Sequence, residues 1–204
     1  MPQFDITRYQ DQLNLLHTHI CPRQVLGMRM GELAGDYLGL DLPVLRQQHD
    51  KRLFVFVETD GCFVDGVMVA TGCSLGHRTM RLEDQGKTAA TFVDTSRHDQ
   101  SGLRIWPHPL ARQRAMDMAP GASSRWHAQL DGYQHMANAD LLCTRVVTLT
   151  VSMQAIISKP GLRQECAVCG EEIMNERGIL RGDVILCRTC AGESRYYEVT
   201  TPSD

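Results

Sequence analysis

No apolar run in these 204 residues approaches the ~20 that a membrane-spanning helix needs, which argues against a helical anchor. The opening "MPQFDITRYQDQ" lacks the basic-then-apolar order of a secretory signal, so a cytoplasmic location is expected. A surplus of basic charge is also missing. Residues 1–158 carry 15 Lys and Arg against 16 Asp and Glu, and residues 159–204 carry 6 against 8. Proteins that grip phosphate backbones need such a surplus. Nucleic acid is therefore not expected as the main partner, although the finger described below leaves that route open. There is no phosphate-binding glycine loop, no dinucleotide fingerprint, no internal repeat and no low-complexity segment. Spacing assigns neither a Ser–His–Asp set nor a pair of acid/base carboxylates.

What is present is the composition of a globular protein, 43% hydrophobic and 22% charged, with length for one good-sized domain plus a small appendage. Eight cysteines stand at 21, 62, 73, 143, 166, 169, 187 and 190. In an exported chain they would suggest disulfides. With no export signal and with CxxC pairs present, metal ligation is the better reading.

Tyr9, Leu13, Leu16 and Ile20 recur at helical spacing, which predicts a helix from about Arg8 toward His17. Pro22 suits the first turn of a second helix and Gly39 its stop. Gly27, Gly31 and Gly35 share one face of that helix, each at a cost of about 1 kcal/mol relative to Ala. Close approach of a helix, a sheet or a second protomer is the expected compensation, ahead of a bound ligand. "RLFVFVET" (52–59) reads as a buried strand. The stretch 60–73 fits a helix with Asp65, Val69 and Cys73 on one face, or a strand. "SLGHRT" is a loop, followed by short strands near Met80–Leu82, Thr88–Val93 and "LRIW". Residues 109–138 read as helical, broken at Pro120-Gly121, and 144–153 alternate as a strand. The fold class expected is α+β, a mixed or antiparallel sheet packed with helices. "SKPG" (158–161) separates this core domain, 1–158, from a zinc-finger domain, 159–204.

In the tail, Cys166, Cys169, Cys187 and Cys190 form two CxxC pairs separated by seventeen residues that include a plausible hairpin, "ERGILRGDVIL". Four thiolates close a tetrahedron around Zn²⁺, and a segment this small needs the metal as folding energy. Such a closed site has no open position for chemistry. Docking is the expected role, and the acidic flanks "GEE" and "GES" favour a protein partner.

The second soft-donor cluster is "HTHICP". A Cys21 thiolate at a helix N-cap would sit at the positive end of the macrodipole, which favours ligation or nucleophilic reactivity. With His17 and His19 it makes a set suited to zinc or another late transition metal. Spacing alone leaves this open against an ordinary turn.

The blocks "HTHICPRQVLGMRMG" and "ETDGCFVDGVMVATGCSLGHRTMRLEDQGKTAATF" resemble, in order, those of the FmdE family, which takes its name from formylmethanofuran dehydrogenase. The resemblance covers residues 10–105 and fades through 158. It implies an α+β core, a homodimer and a metal near His17, His19 and Cys21, with Cys62 carried over from the D-x-C element; His19, Cys21 and Cys62 are the first-ranked core ligands and His17 the next. Asp65 and Lys87 carry over as ligand-site residues, Asp65 as a partner orienting an imidazole or else an ordinary cap or salt-bridge residue, and Lys87 as a receiver of an anion or else a solvated surface lysine. Cys73 carries over from TGC, though packing is its plain alternative, and Cys143 matches nothing in the family. Arg23 replaces the usual glycine after CP, and His77 stands where lysine is common. The dehydrogenase chemistry belongs to polypeptides with pterin and iron–sulfur cofactors, for which this chain lacks the apparatus.

The functional expectation is a metal-binding accessory protein. Its core would hold a second transition metal, zinc by the donor set, and bind a small ligand or cofactor, while its finger docks a protein. The alternatives are a metal- or thiolate-dependent enzyme and a ligand-sensing regulator that contacts nucleic acid through the finger.

Overall fold

The computed structural model describes residues 4–47, 50–157, 161–175 and 177–193. The chain divides into two units, Met1–Met153 and Gln154–Asp204.

In the first unit a 3-10 turn (Ile6–Tyr9) leads into α1 (Gln10–Leu16), and His17 leaves that helix in an extended conformation. Cys21 is the N-cap of α2 (Pro22–Leu38), with proline at the first position and left-handed Gly39 at the stop, the punctuation expected from sequence. After α3 (Leu42–Gln47) and β1 (Leu53–Val57), the ambiguous stretch forms α4 (Cys62–Thr71). Then come β2 (Met80–Leu82), β3 (Ala90–Asp94), β4 (Ser101–Pro107), α5 (Ala111–Met118), α6 (Arg125–His135), α7 (Asn138–Leu141) and β5 (Leu142–Thr148).

The five strands form one mixed sheet in the order β2-β1-β3-β4-β5, parallel only between β1 and β2. β1 and β3 lie inside it and are buried at every position. Leu53, Val55 and Val57 join the core built with α2 and α4. The strand expected over 144–153 stops at Thr148. Its partner β4 starts at Ser101, opposite Thr148; Leu149 N still donates to Gln100 O at 2.8 Å, and the ladder ends there. Met153 opens α8 (Met153–Ile157) instead.

The glycine face of α2 receives α4. A Cβ at Gly27 would collide with the Phe63 carbonyl oxygen, and one at Gly66 with that of Gln24. A Cβ at Gly31 would lie 2.7 Å from Ala70 Cβ. Gly27 meets Phe63–Val67 and Gly31 meets Ala70–Thr71, so the two helices run parallel and start side by side. Gly35 instead makes room for Leu42. Arg29, buried on α2, donates to the carbonyls of Tyr133, Gln134 and Met136 and so ties down the end of α6.

The second unit holds two hairpins, β6 (Arg163–Glu165) with β7 (Glu172–Met174) and β8 (Ile179–Arg181) with β9 (Val184–Leu186). Each is followed or interrupted by a CxxC turn. Three of the four "SKPG" residues, 158–160, lie outside the described residues.

Candidate functional site

The clearest donor set is in the second unit. Ligand atoms of Cys166, Cys169, Cys187 and Cys190 all lie within 4.8 Å of one another, the one such group among the described residues. The Cys169 and Cys187 sulfurs are 3.9 Å apart, close to the roughly 3.8 Å edge of a tetrahedron with Zn–S of ~2.3 Å. Backbone N–H groups soften the sulfur charge, with Cys187 N donating to Cys166 Sγ at 3.3 Å and Cys190 N to Cys187 Sγ at 3.4 Å. N–H groups of Cys169 and Cys187 pull the Cys166 thiol down to about 6, while the crowding Cys187 sulfur pushes Cys190 up to about 12. Four sulfurs gathered at this spacing, with backbone N–H groups turned toward them, fit a divalent cation.

In the first unit, the parallel start of α2 and α4 brings Cys21, N-cap of one, beside Cys62, first residue of the other. Burial pushes the Cys62 thiol up, and the neighbouring Cys21 sulfur and the Asp65 carboxylate add to the rise. Asp65, in the first turn of α4, contacts His17 Nε2 at 2.6 Å and so orients that imidazole. Gln24 completes a capping box by accepting the Cys21 N–H at 2.7 Å. Its own Nε2 is buried without a partner among the described residues.

His19 stands apart from this pair, exposed, with its ring 6.4 Å from that of Trp126. Cys73 is buried and donates to Leu53 O at 3.3 Å, and burial pushes its thiol up to about 11, as for a packed core cysteine. His77 is exposed in the loop before β2, and Cys143 lies half-buried on β5 opposite Trp106. Outside the finger, no three His, Cys, Asp or Glu donors converge within 4.8 Å among the described residues. The structure thus joins His17 to Asp65 and Cys21 to Cys62, and leaves His19 separate.

Cys21 and Cys62 open onto a cavity of about 730 Å³. Lys87 reaches it from the turn after β2, where its Nζ donates to Gln85 Oε1 at 3.2 Å. The far wall was not anticipated from motifs. It comes from Arg104 and Trp106 on β4, Arg112 on α5, and Trp126 and Tyr133 on α6. Buried Glu58 fixes Arg104 with two bonds, 2.6 and 2.7 Å, and Arg104 lies over the Trp106 ring at 5.0 Å. The one sequence signal for this wall was the scarcity of tryptophan, two residues in the whole chain.

Residues 16–142 match the family model FmdE, described as molybdenum formylmethanofuran dehydrogenase operon. Residues 161–196 match the prokaryotic dksA/traR C4-type zinc finger. A probable S-adenosyl-L-methionine-binding protein of Archaeoglobus fulgidus is 38% identical over 105 residues. That match spans 52% of this chain and only 28% of the length of the archaeal relative. Among solved structures, a tungsten formylmethanofuran dehydrogenase FmdE-like protein from Syntrophus aciditrophicus superposes with a TM-score of 0.57 at 22% identity. The alignment covers 97% of this chain and 100% of that one, a likeness of fold.

Proposed function

This chain belongs to the FmdE family and ends in a dksA/traR-type zinc finger, and from that premise we propose an accessory protein with two metal centres. The finger cysteines hold zinc as a structural ion and present the tail for docking. The core holds a second ion at Cys21 and Cys62, with His17 or His19 closing on it as a third ligand once the ion is bound, beside a cavity that takes a small molecule. The observation that carries this reading is the meeting of Cys21 and Cys62, forty-one positions apart, at one cavity. Asp65 engages Nε2 of His17, which leaves Nδ1 for a metal. An ion there would supply Lewis-acid charge, and with three protein ligands it keeps a position for an incoming ligand. S-adenosyl-L-methionine, in the printed name of the archaeal relative, is one candidate occupant, since the indoles suit its adenine. Its sulfonium, however, would face a lining with no carboxylate among the described residues.

Metal analysis of three proteins tests the proposal. The wild type is expected to hold two equivalents, Cys169→Ser to lose the finger ion alone and Cys21→Ser to lose the core ion alone. If the wild type holds one equivalent, or both variants lose the same one, the core centre does not exist.

A further inference from the structure

Both tryptophans of the chain line the cavity beside Cys21 and Cys62, and Tyr133 adds a third ring. Trp126 is 38% exposed, so part of its indole is open to a guest in the cavity. The charges in the lining are all of one sign. Arg23, Lys87, Arg104 and Arg112 contribute, and no carboxylate does among the described residues. Glu58 answers Arg104 from behind. Arg23, Lys87 and Arg112 have no carboxylate partner among the described residues; Arg112 instead reaches Tyr133 and Lys87 reaches Gln85. This concentration is not a reflection of composition, since the chain as a whole carries a formal charge of -3.

Three helices reinforce that sign. Pro22, Cys62 and Ala111, the first residues of α2, α4 and α5, all border the cavity, so three positive helix ends surround it. A cavity of about 730 Å³ is of the size that encloses a small molecule. An uncharged ring would leave the cations unanswered, and inorganic phosphate alone would leave the indoles uncovered.

We propose that this cavity binds a phosphorylated planar heteroaromatic compound of the nucleotide type. The ring lies against the indoles, and the phosphate is held by Arg23, Lys87 and Arg112 at the helix N-termini. The inference rests on the reading of this cavity as the small-molecule site and adds the chemical class.

The test is titration of the full-length, zinc-loaded protein with AMP, adenosine and inorganic phosphate, followed by tryptophan fluorescence and calorimetry. AMP is expected to bind and quench. Adenosine should bind at least about tenfold more weakly, the worth of a charge-assisted bond. Phosphate alone should leave the fluorescence unchanged. Arg112→Gln and Lys87→Gln each weaken AMP several-fold and leave adenosine unaffected, with thermal melts confirming that both variants fold. Equal binding of AMP and adenosine overturns the phosphorylated class while the cavity remains a small-molecule site. Absence of binding by every probe overturns both the class and the small-molecule reading, and the metal counts then stand on their own.

Discussion

At the scale of single residues, the same amino acid takes opposite roles according to its surroundings. Cys73 donates to Leu53 O from a buried position, whereas Cys21 caps a helix and opens onto the cavity. Both stood in family blocks, and sequence alone left packing as an alternative for Cys73. The Asp65–His17 contact lay within reach of the motifs, because Asp65 carried over as an imidazole partner. The Glu58–Arg104 pair did not, because it joins β4 to the end of β1 across 46 positions with no motif at either end. A second long-range pair allows a pH prediction. Burial pushes the Asp94 carboxyl up, but bonds from Arg52 and from Ser96 outweigh it and leave the group below its ordinary value of 3.8. A carboxyl depressed in the folded state stabilises above its unfolded pKa, and that stabilisation is lost as pH falls through the folded pKa. Asp94→Asn should therefore cost on the order of 1–3 kcal/mol at pH 7. The gap to wild type should begin to narrow as pH drops below about 4 and narrow further as pH falls through the folded pKa. Urea unfolding at pH 7 and in steps downward from about pH 4, followed by tryptophan fluorescence, measures it. A gap that keeps its size down to the lowest pH at which the wild type still folds would mean that the carboxylate charge contributes nothing.

At the scale of elements, the deciding contact is that of α2 with α4, because it sets two thiols side by side. Helix propensity alone predicts that Gly27→Ala stabilises by about 1 kcal/mol. The packing reverses the sign. The new methyl group would strike the Phe63 carbonyl, part of a helix backbone that cannot rotate away as a side chain does. We expect a loss of about 1–3 kcal/mol, in the range of overpacking, together with loss of the proposed core metal as Cys62 moves off Cys21. Gly121→Ala is the control. Its Cβ meets nothing within 4 Å, so stability should stay within roughly 0.5 kcal/mol. Thermal melts of the two variants separate the cases, and a stabilised Gly27→Ala would refute the close packing. Pro22 and Gly39 marked the bounds of α2 in the sequence because each acts on its own backbone. The identity of the element over 60–73 was not legible. An apolar run bounded by glycines suits either a helix or a strand, and only the glycine face of α2 selects the helix. Likewise β5 stops at Thr148 because its partner β4 begins opposite it at Ser101, a limit set by a residue earlier in the chain and outside any local motif.

At the scale of the whole molecule, the two units draw stability from different sources. The first has a large apolar core spanning helices and sheet, with Phe63, Phe92, Met28 and Leu103 almost fully buried. The second has short hairpins of three residues a strand, and Ile173 and Cys166 are its buried apolar residues among those described. Hairpins of that length are not stable alone, so metal binding and folding of the tail are one event. Removing zinc with a strong chelator should therefore unfold residues 161–193 and spare the sheet of the first unit. Both tryptophans lie in the first unit, so their fluorescence reports on it alone, while hydrogen exchange of backbone amides follows the tail. The expected result is loss of amide protection in the hairpins on chelation, with the thermal transition of the tryptophans shifted only as far as loss of the proposed core ion shifts it. Cys169→Ser, which spares the core donors, separates the two effects, because it should remove tail protection and leave the tryptophan transition in place. Protection that survives in the tail of that variant would show that the hairpins fold without their ion. A tryptophan transition that moves with it would show that the two units unfold as one cooperative body.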